Sequence, residues 1–218
     1  MSGSPTQNDA RQRLLDAAGQ VFAEKGYSGA TIREICDRAG ANVASVNYYF
    51  GDKEGIYRSV FEYAHGRVHD HLVQSVAEHA DSPPEARLTM FVRAHLWSML
   101  GTEGPPAWFS TLITREMIDP THLQHDLVES ELRPRSDMLL GIIRELLGPN
   151  ATEDQVRPCE LSVIGQSVFY KLARPFIEIL HPEQGYDEAD IEAMADHVAS
   201  FSLAGIAAVK KQIDGEPS

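Results

Sequence analysis

Residues 31–53 read TIREICDRAGANVASVNYYFGDK, and this stretch decides the fold. It contains two short segments with helical apolar periodicity, 32–39 and 43–50, separated by only three residues that begin with Gly40. Asn42, the last of the three, is a favourable N-cap for the second segment. A glycine-containing turn this short makes two helices cross steeply, so the sequence predicts a helix-turn-helix.

The segment before this stretch predicts a supporting helix. Residues 9–25 carry an apolar stripe at helical spacing, and Gly26 suits the left-handed position that ends a helix. The stripe consists of Leu14, Leu15, Ala18, Val21 and Phe22. Two helices of about two turns each cannot bury a core alone, so we expect this helix to pack on both.

The rest of the chain also predicts helices, separated by glycine and proline. Four patterns of Ser or Thr followed three residues later by Glu or Gln predict capping boxes, at Thr31/Glu34, Ser82/Glu85, Thr121/Gln124 and Thr152/Gln155. The helices predicted after residue 52 span about 53–79, 82–101, 104–119, 121–147, 153–172 and 188–213, and Pro134 should kink or split the fourth of these. We therefore predict an all-α chain with a three-helix domain at 8–57 and a helical-bundle domain at 58–213.

Composition and charge exclude several classes of protein. The formal net charge is −13, of which residues 1–57 contribute −1 and the remaining residues −12. A nearly neutral first domain can bind an anion if its few cations face one way, because phosphate contacts act locally. Two cysteines cannot form a disulfide framework, and we expect Cys36 and Cys159 to be small buried hydrophobes. Residues 1–10 lack a signal-peptide pattern, and no apolar run suits a membrane span, so a cytoplasmic location is expected.

The segment 43–50 divides into two faces that predict contact with DNA. Its periodicity points Val43, Val46 and Phe50 inward, toward the other two helices. The remaining side chains are short or planar hydrogen-bonding groups suited to base edges, and they include Ala44, Ser45, Asn47 and Tyr48. We therefore expect double-stranded DNA as a partner.

Three residues flank this face. Arg33, in the first turn of its helix, can reach a guanine edge or a phosphate. Thr31 begins that helix, where free amides and the positive end of the helix dipole attract a phosphate. Lys53 can bind a phosphate from the other side.

Several stretches in order resemble the TetR family of repressors: Gly26–Ile35, Ala39-Gly40 and Tyr48–Glu54. By position, the resemblance implies DNA contacts at Thr31, Arg33, Val43, Ala44, Ser45, Asn47, Tyr49 and Lys53. The family pattern has a tyrosine where this chain has Asn47, which makes Asn47 a candidate base reader. Family membership would imply regulation of transcription at a pseudo-palindromic operator, with release by a small ligand.

The second domain resembles the CecR-like subgroup of that family. The likeness lies in residues 114–117 (TREM), in Asp119-Pro120-Thr121, and in Ile164-Gly165-Gln166 ahead of an aromatic pair. This resemblance implies a ligand cavity framed by the helices from residue 53 to 147. It also implies that the last two predicted helices form a four-helix dimer interface with a second copy.

Aromatic and polar residues of the second domain predict the ligand site. Apolar walls with a few polar groups are the usual composition of such a site. The candidates are His65, His95, Trp97, Met99, Trp108, Phe109, Arg115, Met117, Gln166, Phe169 and Tyr170. The effector is unidentified, and with few cations and no glycine-rich loop we expect an apolar, aromatic compound. The simpler alternative makes the aromatics core residues and Arg115-Glu116 an ion pair.

The segment 188–213 carries a long apolar stripe that predicts the dimer interface. Its members, with Val163 from the preceding helix, are Ile191, Met194, Val198, Phe201, Ser202, Gly205 and Val209. Ser202 and Gly205 are small enough for two helices to approach closely. The stripe is long enough for a partner helix, so a homodimer is expected.

Other functions have weaker support in the sequence. His65 and His69 are spaced i, i+4 but lack the third and fourth ligands that zinc needs, so no metal is expected. No catalytic constellation and no cofactor motif occurs, which predicts a protein that is not an enzyme. Two alternatives stay open: a helical ligand-binding protein or enzyme without a DNA role, and a regulator controlled by a protein partner.

Overall fold

A computed structural model describes residues 7–77, 79–101 and 107–215, except for the side chains of residues 65–75 and a few others. The described elements are helical, as the sequence predicts. They are α1 Gln7–Gly29, α2 Ile32–Ala39, α3 Val43–Phe50, α4 Lys53–Ala77, α5 Pro84–Leu100, α6 Ala107–Ile118, α7 Gln124–Leu127, a π-helical turn Val128–Leu132, α8 Arg133–Leu147, α9 Glu153–Leu172, α10 Arg174–Leu180 and α11 Glu188–Ile213.

The chain forms two compact units. The first unit contains residues 1–67 and 105–131, and the second contains residues 68–104 and 132–218. Helix α6 belongs to the first unit because it packs along α1, where Gly19 leaves room for the indole ring of Trp108. The functional division into 8–57 and 58–213 stays a prediction. The bounds of the two compact units differ from it, because the first unit also contains residues 105–131.

The second unit is built around α11, which packs against α5, α8 and α9. Its core contains Leu88, Phe91, Leu139, Val163 and Val198, each at most 2% exposed. Ion pairs at the surface join the same helices, such as Arg87 of α5 with Glu145 of α8. Apolar burial from four helices is the main stabilising contribution in this unit.

Helix ends differ in part from the predicted capping boxes. Thr31/Glu34 and Thr152/Gln155 form as predicted. The prediction at Ser82 is wrong, because α5 begins at Pro84 and Pro83 is its N-cap residue. The prediction at Thr121 is also wrong, because α7 begins only at Gln124 and Leu123 is its N-cap residue.

Prolines and one unpredicted helix account for the other differences. The predicted helix 121–147 is not split at Pro134: its helical residues continue from Gln124 to Leu147, and a π-helical turn, Val128–Leu132, comes just before this proline. The sequence left open whether the helix within 153–172 begins before or after Pro158; α9 begins at Glu153, so this proline lies inside it. Helix α10 was not predicted. Among the described residues, no helix is both long and apolar enough to cross a membrane.

Candidate functional site

The turn between α2 and α3 is fixed by hydrogen bonds at both ends. Gly40 adopts the left-handed conformation with φ of 61°, and Ala41 N donates to Cys36 O at 2.9 Å. At the start of α3, Asn42 Oδ1 accepts from Ser45 N at 2.9 Å and from Ser45 Oγ at 3.1 Å. The hydroxyl of Ser45 therefore donates to the N-cap residue of its own helix. These bonds hold α3 in one orientation relative to α2.

Helix α3 presents most of its predicted DNA-contacting residues to solvent. Val46 is fully buried, which anchors the helix, while Tyr48 is 72% exposed. Ala44 and Asn47 are exposed, and Ser45 and Tyr49 are half-buried. The periodicity argument that pointed Val43 inward is wrong: Val43 is 48% exposed. Val46 is the buried residue of this eight-residue helix, so the buried stripe is too narrow to include the first residue.

Arg33 is the cation of this surface that is available for a ligand. It is exposed and makes no ion pair or hydrogen bond within the described part of the chain. Its neighbour Arg38, on the same helix, donates to both oxygens of Glu24 at 2.6 and 2.8 Å. Exposed Thr31 stands at the start of α2 beside it.

Two further cations near this surface have partners. Lys25 pairs with Glu34. The ammonium of Lys53 lies 4.7 Å from the ring centre of Tyr27, and burial lowers its pKa. A phosphate contact by Lys53 would have to compete with this cation–π contact.

The predicted ligand residues of α6 have structural partners in the first unit. Arg115 donates from Nε to Ala23 O at 3.1 Å and from Nη2 to Glu24 O at 3.0 Å, near the end of α1. Glu116 accepts from the hydroxyl of Tyr57 at 2.7 Å and from Thr121 N at 2.8 Å. Burial and the Glu116 carboxylate raise the pKa of Tyr57.

The alternative that paired Arg115 with Glu116 is therefore wrong, because each side chain binds a different helix or turn. They line a polar cleft of about 260 Å³ with Tyr27 and His122. Of the other α6 candidates, Phe109 is 3% exposed, Trp108 is half-buried and Met117 is 56% exposed.

The candidates on α5 lie in the second unit. The ring of His95 stacks on Phe91 with centroids 6.0 Å apart, and neither of its nitrogens has a hydrogen-bond partner or solvent contact. Burial, with a smaller contribution from Arg135, lowers the pKa of His95 to about 4. Trp97 Nε1 donates to Glu192 Oε1 at 2.6 Å, and Met99 is half-buried.

Sequence reasoning missed Arg135, which lies on α8. Its Nε and Nη2 atoms are buried and have no hydrogen-bond partner in the described part of the chain, and burial lowers its pKa to about 10. The available signal was its spacing to the buried residues Leu139 and Ile142, four and seven positions later on one helix face.

The α9 candidates lie at the surface of the second unit. Gln166 Nε2 donates to Ser162 O and to Ser202 Oγ, both at 3.1 Å, so it links α9 to α11. Phe169 is 62% exposed, and with half-buried Tyr170 it lines an open cavity of about 400 Å³. The side chain of His65 lies outside the described residues. The eleven candidates are thus divided between the two units, and their role stays a prediction.

The predicted dimer residues fall into two groups. Five belong to the core of their own chain, each at most 6% exposed: Val163, Ile191, Met194, Val198 and Ser202. Phe201 is 63% exposed, Gly205 is exposed and Val209 is half-buried. These three line a groove of about 380 Å³ between α9 and α11. Only this exposed group can contact a second copy directly.

Further exposed apolar side chains lie on α9 and α10. We call this surface the apolar face; its members are Leu161, Phe169, Leu172, Phe176, Ile179, Leu180 and Phe201. All of these except Leu172 are more than 60% exposed. An apolar surface of this extent is unusual for a monomer and typical of an interface.

Comparison with known proteins shows which class of protein this chain belongs to. Residues 14–60 match the family model described as bacterial regulatory proteins of the tetR family. The chain is therefore a helix-turn-helix, DNA-binding transcriptional regulator. Residues 84–206 match the C-terminal domain of the HTH-type transcriptional dual regulator CecR. The chain belongs to the TetR family and has a CecR-type C-terminal domain.

Two characterised relatives match along most of their length. CecR of Shigella flexneri is 26% identical over 194 residues, covering 84% of this chain and 85% of that protein. The transcriptional repressor NicS of Pseudomonas putida is 26% identical over 198 residues, with 88% of each chain covered.

Solved structures show the same fold. FadR of Bacillus subtilis, in complex with stearoyl-CoA, has a TM-score of 0.68 at 18% identity and covers 89% of this chain and 98% of its own. The hemolysin II regulator HlyIIR has a TM-score of 0.64 at 18% identity and covers 90% and 98%. TetR-family regulators bind operator DNA, function as dimers and take small-molecule ligands.

Proposed function

We propose that this regulator is a homodimeric repressor that binds a pseudo-palindromic operator through α2 and α3 and leaves it when a small molecule binds. One observation carries the DNA-binding part: the exposed face of α3 lies beside Arg33, whose guanidinium has no partner in the described chain, while other cations nearby are paired. An unpaired guanidinium needs no ion pair broken before it binds DNA.

The residues of this face take different roles in the proposal. Arg33 donates to a guanine edge in the major groove, and Asn47 reads a neighbouring base. Lys53 and the start of α2 at Thr31 bind phosphates, but Thr31 contributes less than its position implies, because its amide and hydroxyl already donate to Glu34. Ser45 contributes less than its position implies, because its hydroxyl already donates to Asn42.

A dimer is needed for a specific site. One helix-turn-helix makes too few contacts for selectivity, so two must bind half-sites about one helical turn, or a multiple of about 34–36 Å, apart. The apolar face supports this assembly, since a second copy would cover its exposed aromatic and aliphatic side chains. Two-fold symmetry of the dimer then requires a pseudo-palindromic operator.

Arg33→Ala tests the DNA-binding part against a matched control. The variant should lose ~1–3 kcal/mol of binding to a selected operator and lose preference at one base pair, because one guanine contact disappears. Arg38→Ala removes the same side chain from the same helix, but this guanidinium is already committed to Glu24. It should bind as the wild type does. Equal affinities of both variants and the wild type in fluorescence anisotropy would refute the proposal.

A further inference from the structure

Among the described residues of the second unit, His95 on α5 and Arg135 on α8 each have two buried side-chain nitrogens without a hydrogen-bond partner. Neither ring nitrogen of His95 and neither Nε nor Nη2 of Arg135 has a hydrogen-bond partner or solvent contact. The two residues interact electrostatically, since the Arg135 charge helps to lower the His95 pKa. Helices α5 and α8 pack on each other directly. The two polar groups therefore lie on directly packed helices of a unit whose core is apolar.

The unpaired atoms of Arg135 define a binding geometry. Nε and Nη2 lie on the same edge of the guanidinium, and their N–H bonds point in parallel, which matches the two oxygens of a carboxylate. The pKa of about 10 leaves Arg135 charged at neutral pH, and no described carboxylate pairs with it. A buried charge without a partner is costly, and no described side chain supplies one, so a counter-charge from a ligand would stabilise it.

His95 provides a second, neutral polar group. Its pKa of about 4 means that the imidazole is uncharged near pH 7, with one N–H donor and one acceptor. The surroundings are apolar: Phe91 stacks on the imidazole, and the second unit's core contains Leu139 and Ile142. These surroundings favour a ligand that is hydrophobic beyond its polar group.

We infer that the second unit binds the carboxylate of an otherwise apolar acid, with its two oxygens on Nε and Nη2 of Arg135 and a further hydrogen bond from His95. The inference rests on the proposed function, in which a small molecule releases the operator. The sequence predicted an apolar, aromatic effector, and the inference adds that this effector carries a carboxylate. A head group with several phosphates would need more cations than this single guanidinium supplies.

Paired acids and amides test the inference on the full-length protein. The probes are benzoate, naphthalene-2-carboxylate and decanoate, each with its primary amide, together with decanoyl-CoA; binding is measured by calorimetry. At least one acid should bind about ten-fold or more tightly than its amide, because the amide leaves the guanidinium without a counter-charge. Binding of no acid, equal binding of acids and amides, or tighter binding of decanoyl-CoA than of decanoate would overturn the inference.

Variants separate the role of Arg135 from a structural one. Arg135→Met should abolish the preference for acid over amide and leave the melting temperature of the ligand-free protein unchanged or raised, because an uncompensated buried charge is removed. Arg144→Met, on the same helix, removes an exposed guanidinium that pairs with Glu153 and should leave the preference intact. A lower melting temperature for ligand-free Arg135→Met would overturn the inference, since it would mean that the chain itself satisfies the guanidinium.

Operator binding is measured in parallel on the same preparations. If the protein binds its operator and a neutral compound releases it while acids do nothing, the inference fails and the proposed function stands. If the protein selects no operator at all, the proposed function fails. Acid binding in calorimetry would then still support the site itself.

Discussion

The two units differ in that only the second has described, buried side-chain polar atoms without a hydrogen-bond partner. In the first unit, the carboxylate of Glu116 accepts from Tyr57 and Thr121, and Arg115 donates to the carbonyls at the end of α1. In the second unit, His95 and Arg135 have buried polar atoms with no partner. Within the described chain, every unpartnered buried polar side-chain atom belongs to the second unit. We infer that the first unit is built for a fixed shape and the second for a partner that the chain does not supply.

The apolar face of the second unit also needs a partner to cover it. Disrupting this face should have the largest effect of the substitutions considered. Phe201→Arg places a charge where a second copy should pack, so we expect monomers that no longer bind the operator. Ala207 is also exposed and lies about 120° from Phe201 around the axis of the same helix, so Ala207→Arg should remain dimeric. Light scattering measures both. A full dimer in Phe201→Arg would place the interface elsewhere.

Removal of the Glu116 carboxylate should have the next largest effect. Glu116→Ala leaves the buried Tyr57 hydroxyl and the Thr121 N–H without an acceptor, and should lower the free energy of unfolding by about 3 kcal/mol. Denaturant unfolding checks this value, with the exposed Glu62→Ala as the control. A loss below about 0.5 kcal/mol, the usual range for a surface substitution, would contradict the fixed first unit.

Two glycine substitutions, one in each unit, should have the smallest effects on stability. A Cβ at Gly19 would overlap the Trp108 indole, so Gly19→Ala should destabilise the protein by ~1–3 kcal/mol. Gly141 on α8 has nothing within 4 Å of such a Cβ, and Gly141→Ala should stabilise by ~0.5–1 kcal/mol through lower backbone entropy in the unfolded chain. Thermal unfolding of the two variants should therefore shift in opposite directions. Shifts of the same sign would show that Trp108 packs less closely on Gly19 than the structure indicates.

Local sequence signals predicted much of the helical fold. The ranges 32–39, 43–50, 153–172 and 188–213 match α2, α3, α9 and α11, because caps and periodicity are properties of neighbouring residues. Helix α10 was missed because it is only seven residues long and has little periodicity to detect. The two wrong capping boxes failed because α5 and α7 begin later than the pattern implied.

The sites were less predictable because they depend on contacts between distant residues. Sequence spacing suggested that Arg115 pairs with its neighbour, whereas its partners are more than 90 positions away. The apolar stripe of α11 was identified, yet spacing alone could not separate its buried members from Phe201. Arg135 was overlooked because an arginine within a predicted helix is usually exposed, and its burial depends on the packing of α8 against other helices.

Selection of bound DNA from a random pool tests the central claim most directly, namely that α2 and α3 of a dimer recognise a specific operator. The purified wild-type protein should enrich an inverted repeat whose half-site centres are about 34–36 Å, or a multiple of that distance, apart. Arg33→Ala should enrich the same repeat with one base pair no longer specified in each half. Enrichment of no sequence, or of a single site without a repeat, would contradict the account.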